Sequence, residues 1–127
     1  MAPWNYPVIT ATNTIVPALL AGNTMVLKHS SQTPRCAELI AQALENTGIP
    51  EGVFQFVHTD HQACEKIIAD PRIAHVVFTG SVRGGQEVKK YIGTRFINVG
   101  LELGGKDPAY VRSDADINHA IENLVDG

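Results

Sequence analysis

The sequence predicts an α/β fold, an open parallel sheet flanked by helices. Two features carry this expectation. Segments of strand and helix character alternate along most of the chain, and the strand segments read as continuous apolar runs rather than as alternating polar and apolar residues. Strands buried on both faces need helices on both sides, and parallel neighbours need a crossover, which the intervening helices supply. A chain of 127 residues is one domain's length, and 44% hydrophobic against 18% charged residues is enough for a core.

The elements follow in order. Pro3-Trp4-Asn5-Tyr6-Pro7 is a loop, because each proline restricts the residue before it to extended conformations. Val8 to Ala21 reads as a helix with Pro7 in its first turn and Gly22 beyond its end, although Pro17 is expected to kink or restart it. Thr24 to Lys28 is a short buried strand. The next helix has the clearest signals: Thr33 as N-cap, Pro34 in the first turn, and Cys36, Leu39, Ile40, Ala43 and Leu44 at helical spacing. Cys36 on that stripe reads as a small core residue. After a turn at Gly48 to Gly52 comes the strand Val53 to Val57, then a helix over His61 to Ala69 that buries Ala63, Cys64, Ile67 and Ile68. Ala74 to Thr79 is a strand running into a helix that ends near Ile92. Phe96 to Val99 is a fourth strand, ending before Glu102, and Asp107 to Val111 a short fifth. The last helix starts near Asp114 or Asp116, with Ile117, Ala120, Ile121, Leu124 and Val125 on one face.

Composition narrows the function classes. Ten basic against 13 acidic residues leave a net charge of -3, and no run of Lys and Arg exists to meet nucleic acid or an anionic membrane. No apolar run reaches membrane-spanning length, and the N-terminal residues do not form a secretory signal. Cys36 and Cys64 have neither CxxC spacing nor a His/Cys cluster beside them, and the five histidines show no metal spacing. A cytosolic or organelle-matrix protein without a metal is the expectation.

In a parallel open sheet the ligand site lies at the C-terminal ends of the strands. Asn5, Lys28, Gly80, Ser81 and Glu102 all fall at or just past such an end, or in a loop opening a helix. Glu102 stands between Leu101 and Leu103 in Asn98-Val99-Gly100-Leu101-Glu102-Leu103-Gly104-Gly105-Lys106. A carboxylate dehydrated by such neighbours is suited to take a proton near neutral pH; the alternative is a strand-end glutamate pointing at solvent. Gly80-Ser81-Val82-Arg83-Gly84-Gly85 can offer N–H groups and a helix dipole to a phosphate, or it is a glycine-rich turn with Ser81 as N-cap. It matches neither GxGxxG nor the Walker pattern. Lys28 could hold a ribose hydroxyl or simply snorkel at a strand terminus. Asn5 could donate to a developing oxyanion or serve a turn.

Four of these stretches together, Pro3-Trp4-Asn5-Tyr6-Pro7, Pro17 to Asn23 leading to Val26-Leu27-Lys28, Phe78-Thr79-Gly80-Ser81 and Leu101 to Lys106, resemble the aldehyde dehydrogenase superfamily in order and spacing. The resemblance covers essentially the whole chain. It implies a Rossmann-like sheet and NAD(P)-dependent oxidation of a small-molecule aldehyde to a carboxylic acid through a cysteine thioester. By the same resemblance Glu102 is the general base and Asn5 the oxyanion amide. Trp4 and Leu103 contribute backbone near the nicotinamide, Lys28 holds the adenosine ribose, and Gly80, Ser81 and Gly85 form the pyrophosphate-facing turn.

The sequence also departs from the family. Ser31 stands where many NAD-preferring members carry a glutamate, which admits NADP. Arg83 replaces a common acidic residue, and His58-Thr59-Asp60-His61 replaces a glycine-rich turn. Only 25 residues follow Glu102, and neither Cys36 nor Cys64 occupies the family's nucleophile position. The strand that the family places before Pro3, and the catalytic and oligomerisation regions, are absent from residues 1–127. The expectation is therefore a partial NAD(P)-binding domain, inactive alone, belonging to an enzyme that is homo-oligomeric only at full length. A non-catalytic nucleotide-binding or partner-binding relative, and a relic that does not fold stably, are the other readings.

Overall fold

A computed structural model of the chain describes residues 1–105 and 107–126. Lys106, the last residue of the glutamate motif, lies outside the described residues. The elements are α1 (Pro7–Leu20), β1 (Met25–Lys28), α2 (Pro34–Glu45), β2 (Phe54–Val57), α3 (His61–Ala69), β3 (His75–Gly80), α4 (Val82–Ile92), β4 (Asn98–Leu103) and α5 (Ile117–Asp126). The α/β class and the parallel pairing are as expected from the sequence.

The sheet itself is split. β1 pairs with β2 from Met25↔Phe54 to Lys28↔Val57, and β3 pairs with β4 from His75↔Asn98 to Gly80↔Leu103, both in parallel. Between the two pairs, among the described residues, runs only Met1-Ala2. Ala2 forms a parallel bridge with His29, its N–H donating to the Lys28 carbonyl at 3.2 Å, while the Thr79 N–H donates to the Met1 carbonyl at 3.3 Å. Each half has its own core. Ala2, Ala11, Ile15, Leu27, Ala37 and Ile40 form one, and Cys64, Ile68, Val76, Val88 and Ile92 the other.

Local chemistry explains most boundaries. Gly22 takes a left-handed φ of 80° just past α1 and its N–H returns to the Leu19 carbonyl at 2.9 Å, as a glycine helix stop does. Pro17 does not break α1, which runs through it to Leu20. Asp60 caps α3 by accepting from the Ala63 N–H at 2.8 Å.

Several expectations are corrected. Thr33 precedes α2 but makes no side-chain cap; its hydroxyl is committed to His29. The buried stripe of α2 is Ala37, Ile40 and Ala41, with Leu44 packed against it, and Leu39 is 50% exposed. Spacing of three and four fits both stripes, and the small alanines win because they let the helix approach the sheet closely. Cys36 is accordingly half-buried rather than in the core. In α3, Cys64 and Ile68 are buried, whereas Ala63 and Ile67 are only half-buried. The fourth strand begins at Asn98 and runs to Leu103, so Glu102 lies within it; pairing with β3 fixes this register, and Phe96 is left fully exposed. Asp107 and Pro108 to Val111 form no strand: the stretch is exposed and irregular, and Pro108 has no N–H to give to a ladder. α5 exists, but its apolar face is uncovered, with Ile117 59%, Ile121 54% and Leu124 50% exposed.

Candidate active site

Parallel register places the sequence-selected residues on one rim. Lys28 is the last residue of β1, Gly80 the last of β3 and Leu103 the last of β4, with Glu102 one residue before it and opposite Thr79. Asn5 follows the Met1-Ala2 stub by three residues, past its bridge to His29, and so enters the same rim between β1 and β3. Ser31 lies three residues past Lys28, in the exposed turn where the Thr33 N–H donates to the Ser30 carbonyl at 3.1 Å.

Glu102 is exposed. Strand alternation turns Leu101 and Leu103 to the face opposite its side chain, so they do not cover it, and the dehydration expected from its neighbours is not present in this chain. A carboxylate at an open strand end can still accept a proton from a group brought against it, but its environment must then be completed by whatever binds there.

Ser81 is the N-cap of α4, its Oγ accepting from the Gly84 N–H at 3.1 Å. The cap satisfies one of the helix's free amides and leaves the rest of the first turn, with the positive end of the helix dipole, directed off the rim. The glycines here serve packing as well. A Cβ on Gly84 would lie 2.5 Å from Phe78 Cζ, and one on Gly85 would lie 2.6 Å from Leu103 Cδ2. Gly85 is buried inside the first turn of α4 rather than in the turn before it, and what it contributes there is close approach of α4 to β4.

The loop that carries Asn5 is held from behind by a residue that sequence reasoning passed over. His29 is 2% exposed, with Nε2 3.0 Å from the Pro7 carbonyl and Nδ1 3.1 Å from the Thr33 hydroxyl. A carbonyl only accepts, so Nε2 carries the proton and, in the neutral ring, Thr33 donates to Nδ1. His29 thereby ties the start of α1, beside Asn5, to the start of α2, beside Ser31. The available signal was a histidine directly after a strand-terminal lysine with a threonine four residues on. Between Asn5 and Pro7, Tyr6 takes a left-handed φ of 48°, a strained conformation for a non-glycine residue that the surrounding structure must enforce.

The segment in place of a glycine-rich turn is a capping turn. His58 packs at 5.2 Å on Phe56 and lies 3.2 Å from Glu38 Oε1, and Asp60 caps α3. The Arg35 guanidinium, then His58, hold the Glu38 carboxyl below the usual carboxylate range. Trp4 is 58% exposed at the rim.

Neither cysteine lies at a strand end of the rim. Cys36 is on α2, and Cys64 is buried in α3, its Sγ 3.5 Å from Met1 Sδ. Burial pushes the Cys64 thiol up, against the attraction of Lys28 and the Met1 ammonium. Among the described residues no three His, Cys, Asp or Glu side chains group to hold a metal, and no helix is long and apolar enough to cross a membrane. A cavity of about 750 Å³ lies below the rim between β1 and β3 and includes Lys28 but not Asn5, Ser81 or Glu102.

The family model described as Aldehyde dehydrogenase family matches residues 1–127. The chain is 42% identical over 125 residues to the succinate semialdehyde dehydrogenase (NAD(P)+) of Escherichia coli strain K12, covering 98% of this chain and 27% of that protein. The crystal structure of an aldehyde dehydrogenase from Bartonella henselae superposes with a TM-score of 0.88 at 39% identity, covering 98% of this chain and 26% of that one. A succinic semialdehyde dehydrogenase from Streptococcus pyogenes in complex with NADP+ superposes at 0.84 with 32% identity, over 95% of this chain and 27% of that one. The chain thus spans about a quarter of the length of these relatives. Motif order, parallel strand ends and full-length matching lead to one assignment: this chain belongs to the aldehyde dehydrogenase family.

Proposed function

We propose that the chain is part of the nucleotide-binding domain of an NAD(P)-dependent oxidoreductase of aldehyde dehydrogenase type, acting on a small aldehyde of the semialdehyde class. What supports this reading above all is the placement of Asn5, Lys28, Ser81 and Glu102 on one rim by parallel register. The substrate class rests on the succinate semialdehyde dehydrogenases to which the chain is similar.

In this reading Lys28 and Ser31 hold the adenosine ribose, and the first turn of α4 after Gly80 and Ser81 faces the phosphates. Trp4 and Leu103 border the nicotinamide, which when bound accepts hydride. The exposed α4 amides and the uncharged Ser31 fit a phosphate-bearing nucleotide, with or without a 2′-phosphate. Asn5 donates its amide to the substrate oxygen, and Glu102 takes the proton from the nucleophile or from the water that releases the acid. The thioester forms on a cysteine other than Cys36 and Cys64, since one lies on α2 and the other is buried below the rim. Residues 1–127 alone are then a nucleotide binder without turnover.

A titration tests this. Trp4 is the only tryptophan, so its fluorescence reports the rim. NAD or NADP is expected to quench it saturably, and Lys28→Ala to weaken binding about tenfold through loss of a charged hydrogen bond. Quenching by neither nucleotide, or binding by Lys28→Ala as tight as by the unaltered chain, would count against the assignment of Lys28 and the rim.

A further inference from the structure

His29 is the one buried polar side chain among the described residues, and both of its ring nitrogens are committed to loops of the rim. Its Nε2–H donates to the Pro7 carbonyl at 3.0 Å, and its Nδ1 accepts from the Thr33 hydroxyl at 3.1 Å. Pro7 follows Tyr6, whose left-handed φ of 48° turns the chain between Asn5 and α1. Tyr6 makes no side-chain cap and is 77% exposed, so its own side chain does not enforce that conformation. It is held from its C-terminal side instead. The proline ring fixes φ at Pro7, the Thr10 N–H closes on the Tyr6 carbonyl at 3.1 Å, and His29 grips the Pro7 carbonyl. At the other end of the ring Thr33 closes the turn that carries Ser31. Its N–H donates to the Ser30 carbonyl at 3.1 Å, and its carbonyl accepts from the Cys36 N–H at 3.2 Å. The two loops therefore hang on one imidazole.

We propose that His29 is a positioning residue that makes the Asn5 loop and the Ser31 turn one unit, so that ordering either loop orders the other. An imidazole suits this task because it is rigid and, when neutral, offers one donor and one acceptor at a fixed separation. Burial makes the two bonds interdependent: a ring nitrogen left without its partner at 2% exposure is costly, so a ring that loses one bond no longer holds the other firmly. The coupling is reciprocal, as any coupling between two binding elements must be. Its meaning for catalysis rests on the reading of Asn5 as the oxyanion amide and of Ser31 as a ribose contact. The coupling itself belongs to the two loops and is measured without nucleotide.

The experiment is amide hydrogen exchange on the 127-residue chain, first alone and then with NADP or NAD. The Thr10 N–H reports the Asn5 loop, and the N–H at position 33 reports the Ser31 turn. The Cys64 N–H, which donates to the Asp60 carbonyl at 3.0 Å in the other half, is the control. Thr33 makes no side-chain cap to α2, so Thr33→Val removes only its bond to His29. That variant is expected to exchange about tenfold faster at Thr10 with Cys64 unchanged, and Thr33→Ser, which keeps the hydroxyl, to exchange at Thr10 as the unaltered chain does. His29→Ala is expected to speed exchange at both reporters; if it does not fold, the two Thr33 variants carry the test. Saturating nucleotide is expected to slow exchange at Thr10 in the unaltered chain and in Thr33→Ser, but not in Thr33→Val. No change at Thr10 in Thr33→Val, the same change in Thr33→Ser, or an equal rise at Cys64 would overturn the proposal. Loss of Thr10 protection in Thr33→Val and its rescue by Thr33→Ser, with no response of the unaltered chain to either nucleotide, would support the coupling and overturn the nucleotide site instead.

Discussion

Leu103 closes directly onto Gly85: a Cβ built on Gly85 would lie 2.6 Å from Leu103 Cδ2 and 2.8 Å from Cδ1. The end of β4, which carries Glu102, is thus seated on α4, whose first turn faces the proposed phosphate site. Two effects oppose each other in Gly85→Ala. Alanine gains about 1 kcal/mol of helix propensity, and overpacking against Leu103 costs about 1–3 kcal/mol. The single variant is expected to lose about 1 kcal/mol in urea unfolding. In a Leu103→Ala background the clash is gone, so the same change is expected to stabilise by about 1 kcal/mol. Equal effects in both backgrounds would show that the two residues do not couple.

His29 joins two loops, and its removal should be felt in both stability and binding. His29→Ala leaves the Thr33 hydroxyl without its partner and the Pro7 carbonyl without a donor, at a cost of about 2 kcal/mol in urea unfolding. His29→Gln, which can keep one of the two bonds, is expected to lose less. Nucleotide binding read by Trp4 should weaken in the same order as the loops of Asn5 and Ser31 loosen.

Ser31→Glu introduces a negative charge three residues beyond Lys28. Where a 2′-phosphate lies against it, repulsion of about 1–2 kcal/mol is expected, lowering NADP affinity about tenfold while NAD binding changes little. Equal losses for both nucleotides would place Ser31 away from the ribose.

The two thiols should separate by pH. Burial raises the pKa of Cys64, so its thiol stays protonated and unreactive through pH values at which an ordinary cysteine forms thiolate. Iodoacetamide at pH 8 is expected to modify Cys36 first in the folded chain, with Cys64 reacting fully only in denaturant. The sign for stability follows: Cys64 holds its proton more tightly when folded, so this contribution is present below the unfolded thiol's pKa and falls away as pH rises above it. Equal labelling of both residues in the folded chain would contradict the burial of Cys64.

The rim was legible in the sequence because strand ends are marked by their surroundings. Lys28 ends an apolar run, and Gly80-Ser81 joins a strand to a helix with the serine as cap. What escaped were properties decided by contacts distant in sequence. From its neighbours Leu101 and Leu103, Glu102 reads as lying after the strand in an apolar setting; pairing with Thr79 extends β4 through it and alternation leaves it exposed. Leu39 outweighed Ala37 and Ala41 by size, yet close helix-to-sheet approach favours the small residues. The periodicity of α5 marks its apolar face, but a pattern names a face and not what covers it. The buried place of His29 depends on Pro7 and Thr33, and no local rule brings those three together.

The most direct test of the rim assignment is an amide and indole chemical-shift map of the isotopically labelled chain during titration with NADP and, separately, NAD. The account predicts saturable shifts concentrated at the Trp4 indole, Lys28, Ser31, the first turn of α4 from Ser81, and Leu103, with α2 beyond its first turn and α5 unaffected. Saturable shifts centred elsewhere, or no shifts from either nucleotide in a folded chain, would contradict it.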